Sequence, residues 1–435
     1  MGVSAMEGLQ QYRAEIDRID GELSRLFEER MAAAAEIAAR KQALGLPVRD
    51  RERERELLDR NAARIRNPAL RPHYAALLQS LMAESRAWQR ELLSPDSPER
   101  FTLRTGTGAC PIFLRRGALR AAETVLPQDR RVFLVTDDEI PTEYVAALAG
   151  QCRDCMIWSV PAGEYAKSPE ILTELLSAML RAGLTRQDCV AALGGGVVCD
   201  LAGLAAALYM RGIDCYLFPT TLLAMVDAAV GGKTAVNLDG VKNAVGVFRQ
   251  PGDVVMDPDT LGTLPPRQLA NGLAEALKMA LTHDAALFAR FEDPAGYDPI
   301  EEIIAACLRI KTAVVAADER DHGVRQALNF GHTLGHGIEA AADGLLLHGE
   351  AVALGMLPMC APEVRARLVP VLERLGLPTY VNFDLDVDAA MEAIAHDKKT
   401  AGDGIKVVTV PAVGQFRFRS VGLNDLRTML LRLIQ

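Results

Sequence analysis

No stretch of this 435-residue sequence approaches the ~18–20 consecutive apolar residues that a membrane-crossing helix needs. Nor is there an excess of positive charge. Lys and Arg number 48 against 57 Asp and Glu, and a net charge of −9 argues against nucleic acid or an anionic membrane as the main partner. The start, Met1 to Met6, lacks a basic region followed by an apolar core, so no secretory signal is expected, and Met6 breaks the myristoylation pattern. Eight cysteines are present without the spacing of a disulfide framework, and Cys152-Arg-Asp-Cys155 is a single CxxC with no second pair. These absences leave a chain of the reducing cytoplasm, acting on small molecules, as the expectation. With 49% hydrophobic and 24% charged residues, its length suffices for two or three domains.

The chemistry-bearing residues are concentrated. Three of the seven histidines lie in Asn329-Phe-Gly-His332-Thr-Leu-Gly-His336-Gly-Ile-Glu339 and the segment up to His348-Gly-Glu350. His332 and His336 are four apart in a helical pattern, so both imidazoles project from one face. Such clustering suits a divalent metal, with an acid from elsewhere completing the shell; the alternative is a pair that merely packs or caps the helix.

The first segment is helical. Apolar residues step through Leu9, Tyr12, Ile16, Ile19, Leu23 and Leu26, a narrow seam that continues onto Arg30, Ala33, Ile37 and Lys41. A cation on that seam is costly unless something offsets its desolvation. The helix ends near Gly45-Leu-Pro47, and a length of roughly 55 Å predicts a dimer partner along it. A second helix follows, capped by Asp50, and a third runs from about Pro72 to Leu93 with Tyr74, Leu78, Leu81, Ser85, Trp88 and Leu92 on its buried stripe. Cations facing an enclosed pocket imply a small polyanionic ligand.

Arg13, Arg30, Lys41, Asp50-x-x-Arg53-Glu54 and Ser85-x-x-x-Gln89 make this region resemble the all-helical chorismate mutases. The resemblance implies that these residues hold the two carboxylates of chorismate and its ether oxygen, with Arg13 arriving from a partner subunit, and that the product is prephenate. The rival is a catalytically silent helical module for dimerisation or effector binding.

After the Pro/Ser break at Ser94–Arg100, strand-like runs at 131–136, 155–160, 189–193, 215–218 and 253–256 alternate with helical patterns, which indicates an α/β domain with a largely parallel sheet. Asp137 and Asp138 follow the first run, where ribose-binding acids commonly stand. Leu193-Gly194-Gly195-Gly196 is a glycine turn entering a helix, suited to a pyrophosphate although it is not G-x-G-x-x-G. From about Pro258 the pattern turns helical, with Glu275 and Lys278 on one helix face.

GGGVVCD, PTTLLAMVD, GGKTAVN, KN, LAEALK, LNFGHTLGH and LHGEAV make residues 100–435 resemble the 3-dehydroquinate synthases. Together the two resemblances imply an all-α domain at 1–95, an α/β NAD-binding domain at 96–257, and a mainly helical metal and substrate domain at 258–435. The second implies NAD-dependent cyclisation of the seven-carbon keto acid phosphate DAHP with loss of phosphate. It assigns a divalent metal, zinc or else cobalt, to Glu275, His332 and His348. Lys311 and Arg325 then hold the substrate carboxylate, and Lys233, Asn243, Asn329, His336 and Lys398 surround the phosphate. Arg211 enters from a neighbouring subunit, Asp227, Lys278 and Lys242 contact hydroxyls or the nicotinamide end, and Asp321 stands at an acid/base position. Asp137, Glu164, Lys167, Gly195, Gly196, Val197, Asp200, Thr220 and Thr221 contact the cofactor. Two departures are Cys199 for the usual glycine and Asp321 for the usual glutamate. The rivals are sister sugar-phosphate cyclases, above all an aminodehydroquinate synthase, and a metal- and NAD-dependent alcohol dehydrogenase.

Overall fold

The computed structural model describes residues 2–43, 51–93, 99–106, 108–127, 129–294, 296–397 and 404–434. The chain divides into two compact units, Met1–Ser97 and Pro98–Gln435.

The first unit holds α1 (Gly2–Ala43), α2 (Arg51–Arg64) and α3 (Arg71–Leu93). Asn67 caps the short turn before α3, its side chain accepting the Ala69 N–H at 3.0 Å. At ~1.5 Å per residue α1 spans about 63 Å. Its buried positions are Ala34 and Ala38, matched by Leu78, Met82 and Ser85 on α3. This corrects the expected seam at its end, because Ala33 is exposed and Ile37 is 49% exposed. Small side chains let helices approach closely, so the contact with α3 runs through the alanines one position on. The rest of the seam, Tyr12, Ile16, Ile19, Leu23 and Leu26, is exposed in the single chain. The predicted Asp50 cap lies outside the described residues.

The second unit opens with β1 (Glu99–Thr105) and β2 (Gly108–Leu114), then β3 (Val132–Asp137), α4 (Thr142–Ala149), β4 (Cys155–Val160), α5 (Pro169–Arg181), β5 (Cys189–Gly194), α6 (Gly196–Leu208) and β6 (Asp214–Pro219). The hairpin β7 (Lys233–Leu238) and β8 (Val241–Phe248) precedes β9 (Asp253–Met256). The seven-stranded sheet has the order β1-β2-β9-β6-β5-β3-β4, parallel except between β1 and β2. Its central strands are buried runs such as Cys189–Gly194, as a sheet covered on both faces requires. The β7–β8 hairpin stands apart from this sheet and went unpredicted. Its signal was present: Asp239-Gly240 is a two-residue turn with φ of +49° and +77°, the positive pair that such hairpins demand.

Helices follow: α7 (Pro266–His283), α8 (Ala285–Glu292), α9 (Ile300–Ala317), α10 (His332–Ala341), α11 (His348–Met356), α12 (Pro362–Arg374) and α13 (Val387–Asp397). A two-stranded sheet of β10 (Ile405–Ala412) and β11 (Gln415–Val421), then α14 (Leu423–Leu431), complete the unit. All eight cysteines are free thiols, and no helix among the described residues is long and apolar enough to cross a membrane.

At the start of β9, burial pushes the Asp253 carboxyl up to about 6, against the opposing charge of Arg100. The folded state therefore binds a proton more tightly than the unfolded chain, and stability falls as pH rises from ~4 through 6. Asp253→Asn is expected to raise Tm by about 2–4 °C at pH 8 and leave it unchanged at pH 4, as read by circular dichroism melts.

Candidate active site

The central helices of the second unit meet at backbone distance because glycines line the contact. A Cβ on Gly355 would lie 2.0 Å from the Gly331 carbonyl oxygen, and one on Gly335 would lie 3.0 Å from that of Ala351. This contact sets the α10 histidines beside the first residue of α11. Ring centroids of His332, His336 and His348 are 5.1–5.7 Å apart, and one nitrogen of each lies within 4.8 Å of the others. On the other side α7 is held against the start of α11 by Asn271, whose Oδ1 accepts the Gly349 N–H at 2.5 Å. One turn further along α7 stands Glu275, its Oε1 3.7 Å from His332 Nε2 and 3.5 Å from His348 Nε2.

Hydrogen bonds on the far side of two rings decide what they offer. A carbonyl and a carboxylate can only accept, so His332 Nδ1 donates to Phe330 O at 3.1 Å and His348 Nδ1 donates to Glu339 Oε2 at 3.1 Å. In the neutral rings both Nε2 lone pairs then face Glu275. Both Glu275 carboxylate oxygens are buried, Oε2 paired with Lys278 and Oε1 facing the two imidazoles. Such a donor set, two imidazoles and a carboxylate with their outer nitrogens tied down, fits a divalent transition metal. His336 stands close enough to the other rings to be a further ligand candidate.

The electrostatics favour a cation there. Burial works against the charge of Glu275, yet Lys278 and the imidazoles hold its carboxyl well below the ordinary range. Burial lowers His332, and it would lower His348 as well, but Glu275 and Glu339 raise the latter to about 9. Glu339 is itself held down to about 2 against burial by His348 and Lys242.

Around this centre lies a buried charge network. Lys278 pairs with Glu275, both side chains 1% exposed, and Lys311 pairs with Asp227 in the π-turn Ala224–Ala228. Burial opposes the charge of Asp227, but Lys278 and Lys311 outweigh it and keep the group ionised. These lysines are core residues, not the solvated surface charges that isolated lysines usually are. Arg325, also buried, donates to the carbonyls of Glu319 at 2.6 Å and Gly231 at 3.3 Å. Lys233 meets Asp321 Oδ2 at 2.5 Å, while Asp321 Oδ1 is buried without a partner. Asn329 is half-buried before α10, and Arg211 is exposed at φ +70°. Lys398 lies outside the described residues.

The carboxyl ends of β3, β5 and β6 carry a second group. Asp137 closes β3, its Oδ1 accepting the Glu139 N–H at 3.0 Å, and burial raises its carboxyl. Gly195 caps α6, and a Cβ there would meet Thr221 Cγ2 at 3.2 Å; one on Gly196 would meet Ala228 at 3.3 Å. The turn is thus packed against residues 221–228, and α6 begins at the carboxyl end of β5, beside the point where the strand order reverses, a setting that suits phosphate. The Thr220 hydroxyl is buried without a partner, and Thr221 Oγ1 accepts the Ala224 N–H at 3.2 Å. Lys167 Nζ reaches Asp200 Oδ2 and Asn243 Oδ1, each at 2.5 Å, and burial raises Asp200 despite Lys167. Glu164 accepts from Asn237 Nδ2 at 2.9 Å, and Asn237 Oδ1 accepts the Asn243 N–H at 2.9 Å. Cys199 is buried on α6 among core side chains.

No specific role follows from the sequence for Asn237, Asn271 or Glu339, all inside or beside the motifs quoted above. Each serves through a hydrogen bond to a residue six or more positions away, which spacing alone does not reveal.

In the first unit, Arg30 Nη1 donates to Leu81 O at 2.9 Å and to the Ser85 hydroxyl, whose own hydrogen bond to Leu81 O is 2.9 Å. Burial lowers the Arg30 guanidinium, with Tyr74 opposing. Lys41 is half-buried on α1, whereas Arg13, 17 residues before Arg30 on the same straight helix, is about 25 Å away from it. The single unit therefore does not bring Arg13 to Arg30. Arg53 is exposed and meets Glu56 Oε2 at 3.3 Å. Asp50 and the side chains of Glu54 and Gln89 lie outside the described residues.

Residues 157–271 match the family model described as 3-dehydroquinate synthase N-terminal, residues 272–400 the 3-dehydroquinate synthase C-terminal model, and residues 12–90 chorismate mutase type II. A 3-dehydroquinate synthase of Enterococcus faecalis is 39% identical over 354 residues, spanning 77% of this chain and 99% of the relative. That of Latilactobacillus sakei is 44% identical over 299 residues, spanning 66% and 84%. Among solved structures, a 2-epi-5-epi-valiolone synthase from Streptomyces hygroscopicus with NAD+ and Zn2+ bound is 29% identical with a TM-score of 0.68, covering 74% of this chain and 96% of that one. A 2-deoxy-scyllo-inosose synthase complexed with carbaglucose-6-phosphate, NAD+ and Co2+ shares the fold, with a TM-score of 0.70 at 24% identity over 76% of this chain and 99% of that one. By this kinship the chain belongs to the 3-dehydroquinate synthase family and carries a chorismate mutase type II domain ahead of it.

Proposed function

We propose that the second unit converts DAHP to 3-dehydroquinate with release of phosphate, and that the first rearranges chorismate to prephenate. The observation that carries the first assignment is the convergence of Glu275 Oε1 with the Nε2 atoms of His332 and His348, beside the buried pairs Lys278–Glu275 and Lys311–Asp227. Glu275, His332 and His348 hold a divalent ion, zinc or cobalt. Gly195, Gly196, Val197, Thr220 and Thr221 line the NAD pyrophosphate site, with Asp137, Glu164, Lys167 and Asp200 near the rest of the cofactor. When bound, NAD supplies a transient hydride acceptor, and the ion supplies a Lewis acid for the oxygen of the oxidised carbon.

The protein's own contribution is a buried set of ionised groups fixed before substrate arrives. Lys278 keeps Glu275 and Asp227 ionised. Lys311 and Arg325 bind the substrate carboxylate, which favours a keto acid over the uncharged sugars of the valiolone and inosose synthases. Lys233, Asn243, Asn329, His336 and Lys398 surround the phosphate, and Arg211 reaches it from a neighbouring subunit. Lys242 contacts a hydroxyl, and Asp321 steers Lys233. The amino analogue of DAHP is the alternative substrate, since it carries the same carboxylate.

In the first unit Arg30, Lys41, Arg53 and Ser85, with Asp50, Glu54 and Gln89, bind chorismate, and Arg13 comes from a second copy. The exposed stripe from Tyr12 to Leu26 supports that pairing, and a homodimer or larger homo-oligomer of the cytoplasm is the natural form. The deciding measurement incubates the full chain with NAD, zinc and DAHP. Phosphate release without net NADH absorbance is expected, because a synthase returns the hydride each turnover. Steady NADH accumulation without phosphate means a dehydrogenase instead.

A further inference from the structure

Glu339, on α10, has a carboxylate that is engaged on both sides. Its Oε2 accepts from His348 Nδ1 at 3.1 Å, and its Oε1 lies 2.6 Å from Lys242 Nζ. The side chain is 10% exposed, so neither bond is a loose surface contact. The two partners come from distant parts of the chain. His348 opens α11, and Lys242 stands at the start of β8 in the hairpin that projects from outside the main sheet.

We infer that Glu339 is a positioning residue that aligns His348 for the metal with one carboxylate oxygen and places Lys242 over the same centre with the other. The first arm follows from hydrogen-bond inventory. A carboxylate fixes the proton on His348 Nδ1, which turns the Nε2 lone pair toward Glu275 Oε1, 3.5 Å away. Without it the ring rotates about its side-chain bonds or takes the other tautomer, and the lone pair leaves the centre. The second arm follows from the exposure of the hairpin. Every residue of β8 is exposed, and Lys242 is 44% exposed, so its ammonium is oriented by Glu339 rather than by packing. Metal geometry and the placement of a substrate-facing lysine thus pass through one carboxylate.

This inference rests on the metal reading above, and the test separates the two. Full-length protein is stripped of metal, and Co2+ is titrated while the visible d–d absorption is followed, for wild type, Glu339→Ala, Glu339→Gln and Lys242→Met. Glu339→Ala is expected to weaken Co2+ binding about 10–100-fold and to alter the absorption bands. Glu339→Gln keeps a carbonyl oxygen for Nδ1–H, so it is expected to restore wild-type affinity and spectrum while losing the lysine pair. Lys242→Met is expected to leave Co2+ binding unchanged, and it shares with Glu339→Gln a raised KM for DAHP at similar kcat. Circular dichroism melts of the variants report folding separately. Wild-type affinity and spectrum in Glu339→Ala, or failure of Glu339→Gln to restore them, overturns the positioning role while leaving the metal site standing. Absence of Co2+ binding in the wild type overturns both.

Discussion

His348→Ala is expected to take bound zinc from about one ion per chain to background and phosphate release from DAHP down with it, because three protein ligands are the minimum of a catalytic zinc site. His336→Ala is expected to keep the zinc and still lose about 10²–10⁴-fold in kcat, the range for removing a positioned acid or base, the part His336 would play beside the phosphate. Elemental analysis after dialysis reads the first quantity, and a phosphate assay the second. The contrast matters because the three rings are nearly equidistant, at 5.1–5.7 Å between centroids, so proximity does not rank them. What ranks His332 and His348 is the direction of their lone pairs. Each Nδ1 is spent on an acceptor, and each Nε2 faces the buried Oε1 of Glu275. Loss of zinc from His336→Ala equal to that from His348→Ala would place His336 in the ligand set and move the acid/base role elsewhere.

Arg30→Met is expected to lower kcat/KM for chorismate at least about 10³-fold while Tm stays level or rises. The loss follows from removing one of the cations proposed to hold the carboxylates and ether oxygen of chorismate. The unchanged or higher Tm follows from the sign of the burial effect. Burial lowers the pKa of Arg30, so its charge is disfavoured in the folded state, and an apolar side chain of similar length removes that cost. Among the described residues the hydrogen bonds given up are those to Leu81 O and the Ser85 hydroxyl, and those two still bond to each other. A residue kept at a cost to stability is one that function requires. Spectrophotometric loss of chorismate and a thermal melt measure both halves. Undiminished turnover would remove Arg30 from the proposed chorismate site, and no turnover by the wild-type chain would make the first unit a helical module without mutase activity.

Much of the fold was legible in the sequence because it depends on local periodicity. The strand-like runs at 131–136, 155–160, 189–193, 215–218 and 253–256 became β3, β4, β5, β6 and β9, and the helix expected from about Pro72 to Leu93 is α3, Arg71–Leu93. The β7–β8 hairpin escaped because only β7 buries alternate residues, Thr234 and Val236, while β8 is exposed throughout, although Asp239-Gly240 announced the turn. On α1 the apolar seam was read correctly, while within the single unit the buried positions are the small residues Ala34 and Ala38 rather than Ala33 and Ile37.

By itself the sequence determined which chemistry the chain can hold. Histidines at 332, 336 and 348, the acid at 275 and the lysines at 278 and 311 stand in motifs that name a family, and residue types and local spacing are properties of the chain alone. Spacing favoured His332 with His336 as ligands, because i and i+4 share a helix face. The family resemblance instead grouped Glu275 with His332 and His348, but only the tertiary structure decided how Glu275, from a helix begun 66 residues before α10, meets them from the side, and that Glu339 stands behind His348. Those contacts form because Gly331, Gly335 and Gly355 let α10 and α11 touch at the backbone and Asn271 pins α7 to them. The orientation of a ring and the partner of a buried carboxylate depend on how distant segments close on one another, and no local pattern carries that information.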